Sequence, residues 1–343
     1  LTVEQIPNIV YERGYSALAE SYTEAPEVWR SFIPTQYVQP PSREALGDFP
    51  YGARWLGIAG LGTMREVDDF EVAPDSQTVE GYVRQMRLSE FADSIEISDR
   101  MLEAANAEIN VVDTIIDFAM RSAQAATVKR NEIIAGILQK GTLSAGSRTY
   151  FNQSYKGQSD ANVGFIYDGK PLFAASGNAH TFKAHTATGS QGVNLLLPSG
   201  LSASTLGAAY EAMTSTNAID ERGVKATGDI VTPAIVLVGP SSAMRQAALS
   251  VTASPNLPGT ANNDINAYRG LVTPVIWNEL TDDSNAWWLL ARDPGLRVYD
   301  SGMPTLVSIR NEARRSTTIR SMFRFGAYVK DWRGMISNDK AAS

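Results

Sequence analysis

The sequence predicts an α+β protein built from one long helix and several separate strands. Apolar residues recur at helical spacing from Ile109 to Ile137, and Gly141 ends the pattern. A helix over residues 110–140 would be about 46 Å long at the usual rise per residue. Strand-like runs elsewhere do not alternate regularly with helices, so we expect local mixed sheets and not a doubly wound parallel sheet.

Shorter patterns predict the remaining elements. Further helices are predicted at residues 14–21, 204–216 and 242–250, and Ser98 is the predicted N-cap of a helical region that opens at Asp99. Strands are predicted at residues 64–72, 79–88, 230–238, 271–277, 286–291, 306–309 and 317–329. Prolines between residues 26 and 41 indicate that the first 50 residues end as an extended arm.

An acidic stretch precedes the long helix and contains few apolar residues. Within residues 51–100, the strand-like runs 64–72 and 79–88 flank residues 74–76, which predicts a hairpin with a loose tip. An isolated hairpin of this composition has too little apolar surface to be stable alone. We therefore expect this segment to lie against another surface.

The charge distribution excludes one class of function and predicts contacts. The formal net charge of −7 argues against a dedicated nucleic-acid-binding protein, because such affinity comes from a basic surface. Between Arg65 and Asp113 there are 13 acidic and 4 basic residues, whereas residues 297–340 hold 9 basic and 4 acidic ones. Either both regions are solvated faces, or they meet within a chain or between chains.

Composition limits the remaining classes. The absence of cysteine excludes disulfides, thiolate metal sites and a cysteine nucleophile, and it fits a cytosolic protein. The apolar runs are shorter than the roughly 18 residues that a membrane helix needs. Residues 1–10 lack the basic start and apolar block of a secretory signal.

Motifs for catalysis or ligand binding are weak. The glycines at 57, 60 and 62 have the spacing of a dinucleotide-binding turn, but no helix pattern follows them. His180 and His185 fit neither one helix face nor alternate residues of a strand, so we expect structural or surface histidines. The adjacent aspartates at 68–69 and at 282–283 could hold a hard cation, but we expect them to be solvated carboxylates in turns. We expect no catalytic residue, no cofactor and no metal site, because no acid, base and nucleophile converge.

Taken in order, several segments resemble the major capsid proteins of tailed bacteriophages, which have the Hong Kong 97-like fold that encapsulins share. The segments are residues 80–99, 168–173, 233–248, 271–277 with 286–291, and 323–334. The resemblance covers residues 49–337. It rests on the shared order of segments, since no single motif is strict.

The resemblance implies an architecture and a set of partners. It implies an N-terminal arm (1–50), an extended β-hairpin loop (51–97), a peripheral domain with a long spine helix (98–145), an axial domain (146–300), and C-terminal strands returning to the peripheral domain (301–343). Subunits would form pentamers and hexamers of an icosahedral shell that encloses phage double-stranded DNA without sequence-specific binding. The implied location is the virion capsid, assembled in the host bacterial cytoplasm, and the other implied partners are scaffold, portal, maturation protease and decoration proteins.

Charged and aromatic residues of the extended loop and of the C-terminal strands supply candidate contacts between subunits. The candidates are Arg54, Trp55, Arg65, Glu66, Asp68, Asp69, Arg84, Arg87, Arg314, Arg315, Arg324, Trp332 and Arg333. If the acidic loop docks on the basic C-terminal strand of a neighbour, Arg314 and Arg315 would be needed for assembly. Some members of the family that the chain resembles link a loop lysine covalently to an asparagine of another subunit. Because no lysine precedes Lys129, the loop of this chain cannot form that link, and we expect shells held together without covalent bonds. A primary product begins with Met, so Leu1 indicates either a trimmed chain or the cleavage of a longer precursor, and the resemblance adds the hypothesis that a maturation protease removes an N-terminal segment.

Two alternative functions remain. The first is an encapsulin-like compartment shell that packages an enzyme and not DNA. The second is a soluble nucleotide-dependent enzyme that would use the turn at residues 57–62, and it predicts a small oligomer stabilised by its ligand.

Overall fold

The structure is a computed structural model that describes residues 6–24, 27–39, 52–58, 80–87, 89–104, 111–142, 166–196, 199–256, 265–281 and 284–338. The helices are α1 (Ile6–Ile9), α2 (Tyr15–Glu24), α3 (Asp99–Ala104), α4 (Val111–Gln139), α5 (Ala203–Glu211) and α6 (Ser242–Ala253). The strands are β1 (Val38–Gln39), β2 (Gly52–Ile58), β3 (Glu80–Arg87), β4 (Ser89–Ser98), β5 (Pro233–Val238), β6 (Thr273–Ile276), β7 (Trp287–Ala291), β8 (Leu296–Asp300), β9 (Thr305–Asn311), β10 (Ser316–Val329) and β11 (Met335–Ser337).

The long helix α4 confirms the prediction from apolar spacing to within one residue at each end. Its 29 residues bury one side along the whole length. Small side chains on that side, Ala119, Ala123 and Ala126, are at most 2% exposed and let the sheet approach closely. The predicted cap is also confirmed, because the Met101 N–H donates to Ser98 Oγ over 3.2 Å at the start of α3.

The first sheet has the order β1-β8-β10-β4, with β9 also paired to β10. Strand β10 pairs antiparallel with β4 over ten residues, from Ser316 opposite Ser98 to Phe325 opposite Ser89. One face of this sheet packs on α4, where Ile97 and Ile319 join the apolar side of the helix. The long alternating pattern of β10 was therefore predicted correctly as a strand.

The second sheet has the order β11-β7-β5-β6. Strand β5 pairs parallel with β6 and antiparallel with β7. Residues of α5 and α6 pack on one face of this sheet around Val236, Val238 and Leu289. Strand β7 is buried on both faces, which explains its unbroken apolar sequence.

Two strands cross the predicted boundary between the axial segment (146–300) and the C-terminal segment (301–343). Strand β8 belongs to the first sheet, where Val298 lies opposite Ala327. After β10 the chain leaves the first sheet, and β11 pairs with β7 of the second sheet. The crossing is possible because Gly295, at φ 73°, lies so close to the backbone of Asp331 that a Cβ would be 1.9 Å from its carbonyl oxygen. The two sheets are thus connected by strands from both predicted segments.

The described part of the predicted N-terminal arm is packed onto its own subunit. Val10 and Leu18 are fully buried beside α4, and Trp29, Phe32 and Ile33 lie in the largest apolar cluster. The prolines predicted an extended arm. In the described residues the segment instead packs on its own subunit, because burial of these apolar side chains is favourable. Residues 40–50 lie outside the described chain.

The second strand of the predicted hairpin is present as β3, and its partner in the described chain is β2. Strand β3 pairs antiparallel with β2, with Gly52 opposite Arg87 and Leu56 opposite Val83. The predicted strand at 64–72 lies outside the described residues. Gly57 lies inside β2, whereas Gly60 and Gly62 of the same motif lie outside the described residues.

Candidate assembly surface

Acidic and basic side chains of the two charged regions meet within the chain, along β4 and β10. Arg324 Nε lies 3.0 Å from Glu90, and these two residues are directly opposite each other in the ladder. At the other end of this ladder, Arg310 of β9 binds both carboxylate oxygens of Asp99, the first residue of α3, at 2.5 and 2.9 Å. The hydrogen bonds from Arg310 hold the pKa of Asp99 below its usual value, against a smaller opposite effect of burial.

The turn between β9 and β10 carries the two arginines that were predicted to bind a neighbour's loop. Arg314 lies 3.9 Å from Glu96, and Arg315 lies 3.9 Å from Asp99, although both side chains are largely exposed. Arg315 has φ 49°, and its carbonyl accepts the Asp99 N–H over 2.9 Å. These arginines therefore already have acidic partners in their own subunit.

The face of the first sheet that points away from α4 is not covered by any other described element. We call it the open sheet face. On β4 it consists of Glu90, Ala92, Ser94 and Glu96; on β10 of Thr318, Arg320, Met322 and Arg324; on β9 of Thr305, Val307 and Ile309. Glu90 and Arg324 lie at one end of this face and Glu96 at the other, and Arg320 lies in a row between them.

Arg320 differs from the other basic residue of β10. It is exposed, and it lies between Ser94 on β4 and Val307 on β9. Neither neighbour is charged, and no described residue forms a hydrogen bond or ion pair with Arg320. Arg320 therefore has no charged residue directly opposite it in the described ladders.

A buried ion network fixes the N-terminal segment to α4 and β8. Arg130 on α4 is fully buried, and it lies 3.0 Å from Asp300 and 3.4 Å from Glu27. Asp300 also accepts from Arg30 over 2.9 Å, so two arginines share two carboxylates. The Arg130 guanidinium lies 4.6 Å from the centre of the Phe323 ring. Sequence reasoning missed this network, because its members, from Glu27 to Asp300, are up to 273 residues apart.

A second buried polar centre surrounds His180. Its Nδ1 lies 2.7 Å from Asp168, and its Nε2 lies 3.2 Å from both the Leu172 carbonyl and Asn194 Oδ1. The ring stacks on Trp332 at 4.2 Å between centroids and 10° between planes. Two facts make this a structural site: the His180 and Asp168 side chains are fully buried, and Asn194 Nδ2 donates to the backbone around β11.

Arg333 is held just after this centre. It binds Asp331 at 3.0 Å and Glu221 at 3.3 Å, and it is 4% exposed. Burial alone would lower the pKa of Arg333, but the carboxylates of Asp331 and Glu221 outweigh it and raise that pKa. The guanidinium charge is thus neutralised inside the subunit.

The structure divides the candidate contact residues into three groups. Arg314, Arg315 and Arg324 are exposed on the first sheet. Trp332 and Arg333 do not fit the prediction, because their side chains are buried among residues of their own chain. Arg54, Trp55, Arg84 and Arg87 have their backbone in β2 and β3, and their side chains lie outside the described part; Arg65, Glu66, Asp68 and Asp69 lie outside it entirely.

Within the described ranges, no group of three or more histidines and carboxylates has the arrangement of a metal site. None of the helices in those ranges is long and apolar enough to cross a membrane.

Comparisons with known proteins find a phage capsid family and phage capsid structures that are similar to this chain. A family model described as phage capsid protein matches residues 81–338. The capsid of Ralstonia phage GP4 is similar, with a TM-score of 0.51 and 12% identity, over 92% of this chain and 90% of that one. The cyanophage P-SCSP1u capsid has a TM-score of 0.48 and 11% identity, over 88% and 84% of the two chains. A search of curated proteins finds no match.

A virus-like particle from Pyrococcus furiosus is also similar, with a TM-score of 0.40 and 8% identity, over 95% of this chain and 98% of that one. That similarity is weaker than the one to the Ralstonia phage capsid, and it carries no argument for a cargo compartment. The fold is Hong Kong 97-like, and the role of the protein is structural and not enzymatic. By the family match over most of its length, this chain belongs to the phage capsid protein family, whose members associate with one another to build the shell of the virion.

Proposed function

We propose that this chain is the major head protein of a tailed phage, which assembles through pentamers and hexamers into an icosahedral shell around double-stranded DNA. The family match over residues 81–338 is the observation that carries the proposal. The hairpin β2–β3 supports it, because among the described strands this hairpin pairs only with itself, as a two-stranded sheet. A hairpin of that kind gains stability from a surface on another subunit.

The charge of the chain suits a container for DNA. With a net charge of −7, the subunit repels the phosphate backbone more than it attracts it. A shell of such subunits encloses DNA without binding it tightly or reading its sequence. Assembly is proposed to take place in the host cytoplasm, with scaffold, portal, maturation protease and decoration proteins as further partners.

Shell assembly is tested by purifying the protein and combining size-exclusion chromatography with negative-stain electron microscopy. Closed icosahedral particles, or rings of five and six subunits, are expected. A stable monomer or dimer under all assembly conditions would contradict the proposal. The contents of particles from infected cells give a second readout: DNA is expected, and an enclosed enzyme in its place would identify a cargo compartment.

A further inference from the structure

We propose that the N-terminal segment of this chain closes one edge of the first sheet, so that a second copy of the chain cannot add a strand there. The segment consists of residues 6–24 and 27–39 of the described chain, and we call it the edge strap. An uncovered strand edge is a template for pairing with another chain. The edge strap acts in the unassembled subunit, so its role is independent of the proposed shell function.

The edge in question is formed by β8 and β9, which lie end to end along the same side of β10. Strand β10 pairs with β4 over residues 316–325, with β9 over residues 316–322 and with β8 over residues 325–329. Because a strand has only two hydrogen-bonding sides, β8 and β9 both lie on the side opposite β4. Without the edge strap, the outer sides of β8 and β9 would have no strand partner among the described residues.

The first contact of the edge strap is the Tyr15 hydroxyl, which takes the place of a neighbouring strand at Leu306. It donates to the Leu306 carbonyl over 2.9 Å and accepts the Leu306 N–H over 2.9 Å. In an antiparallel ladder the N–H and C=O of one residue point to the same side, so both Leu306 groups face away from β10. The Leu306 side chain is 1% exposed and packs in a cluster with Val10, Leu18 and Ile115. One side chain thus satisfies both outward backbone groups of this β9 residue.

The second contact of the edge strap is a short strand, because β1 pairs parallel with β8 and places Val38 opposite Val298. Between the two contacts, Arg30 binds Asp300, the last residue of β8, over 2.9 Å. From β9 towards β8, the sheet edge therefore meets the strap at positions 306, 300 and 298, in the order of the strap's own residues 15, 30 and 38. The strap follows the edge and covers both of its strands.

Amide hydrogen exchange of the unassembled subunit, read by mass spectrometry of a peptide that contains β9, tests the cover. Tyr15→Phe removes only the hydroxyl, so that the Leu306 N–H loses its partner. One amide of the β9 peptide is expected to exchange at least about tenfold faster, because both hydrogen bonds at this position are lost. Tyr210→Phe is the matched control, since Tyr210 is a half-buried tyrosine of α5, which packs on the second sheet. Unchanged exchange in Tyr15→Phe overturns the cover.

Association of the same subunits tests whether the cover prevents strand addition. Light scattering is followed in a solution where the unaltered protein stays unassembled. Tyr15→Phe is expected to associate about tenfold faster than the unaltered protein, whereas Tyr210→Phe is expected to match the unaltered protein. Circular dichroism and thermal unfolding show that each variant is folded. Equal association of Tyr15→Phe and the unaltered protein overturns the proposal.

A proline on β9 identifies the surface through which the variant associates. Ser308 lies two residues after Leu306, so its N–H also faces away from β10. Ser308→Pro removes that outward donor and leaves the bonds to β10 in place. In the Tyr15→Phe background it is expected to return the association rate to that of the unaltered protein. If the double variant associates as fast as Tyr15→Phe alone, association uses another surface and the proposal is wrong, while the shell function stands.

Discussion

Arg130 and Asp300 bind each other inside the subunit and so connect α4 to the end of β8. Their charged groups are 3.0 Å apart, and neither side chain is more than 3% exposed. Glu27 and Arg30 complete the network from the N-terminal segment, so the segment is attached by charge as well as by apolar contacts. Such a pair need not add stability over an apolar core, but removing one member leaves a buried charge without compensation.

Arg130→Ala is therefore expected to lower the free energy of unfolding by about 3–5 kcal/mol, measured by urea denaturation of the unassembled subunit. Arg121→Ala on the same helix is the control, because the pair of Arg121 with Asp117 is 76% and 59% exposed. That control is expected to cost about 0.5 kcal/mol or less. Similar losses for the two variants would show that the network around Arg130 has no special role.

His180→Leu removes the ring between Asp168, Leu172 and Trp332 while keeping an apolar side chain of similar volume. The Asp168 carboxylate would then be buried without its 2.7 Å partner, and a loss of about 2–3 kcal/mol is expected. His185→Leu should cost less, since His185 is only partly buried and its bond to Gln191 is 3.4 Å long. An equal or larger loss at His185 would contradict this account.

Asp293 makes a pH-dependent contribution to stability. Burial would raise the pKa of Asp293, but the hydrogen bond and positive charge of Arg297 outweigh burial and hold that pKa below its usual value. The folded carboxyl releases its proton more readily than the unfolded one, whose pKa is about 3.9. Its contribution is thus complete above that pH and is lost as the pH falls through the lower folded value.

Comparing Asp293→Asn with the unaltered subunit in urea at several pH values measures this contribution. The variant should be less stable at pH 7, and the difference should shrink below about pH 3.9. A difference that stays constant down to strongly acidic pH would show that the charge of Asp293 is irrelevant.

Gly295→Ala tests the close crossing between the two sheets. The added Cβ would lie 1.9 Å from the Asp331 carbonyl oxygen, in a backbone with φ 73°. Gly270→Ala is a matched control, because Gly270 has φ 74° and nothing within 4 Å of its added Cβ. The control should cost about 1 kcal/mol for backbone strain alone, and thermal unfolding should show a clearly larger loss for Gly295→Ala.

Sequence patterns predicted those elements whose signal is local. Helix α4 and strands β5, β7 and β10 each carry a continuous periodic or apolar run, and all four are confirmed. Strand β8 was missed because its five residues are all buried and show no alternation. The family resemblance supplied the order of the segments, which periodicity alone does not contain.

The candidate surface was harder to predict because charge pairing is not local. The sequence indicated that the acidic and basic regions meet, and the pairs along β4 and β10 confirm a meeting within one chain. Which arginine remains unpaired depends on the register of two strands more than 200 residues apart, and no single-sequence pattern shows it. The aromatic and basic pair at 332 and 333 resembled an interface anchor, yet it is needed inside the subunit.

The crossing of β8 and β11 between the sheets also determines when a newly synthesised subunit can be complete. The first sheet lacks its longest strand until β10 is made, and the second lacks β11 until residues 335–337 are made. Pairing between such distant parts of a chain forms late in folding. A nascent chain that has not yet been extended through β10 therefore cannot present a complete open sheet face to a neighbour.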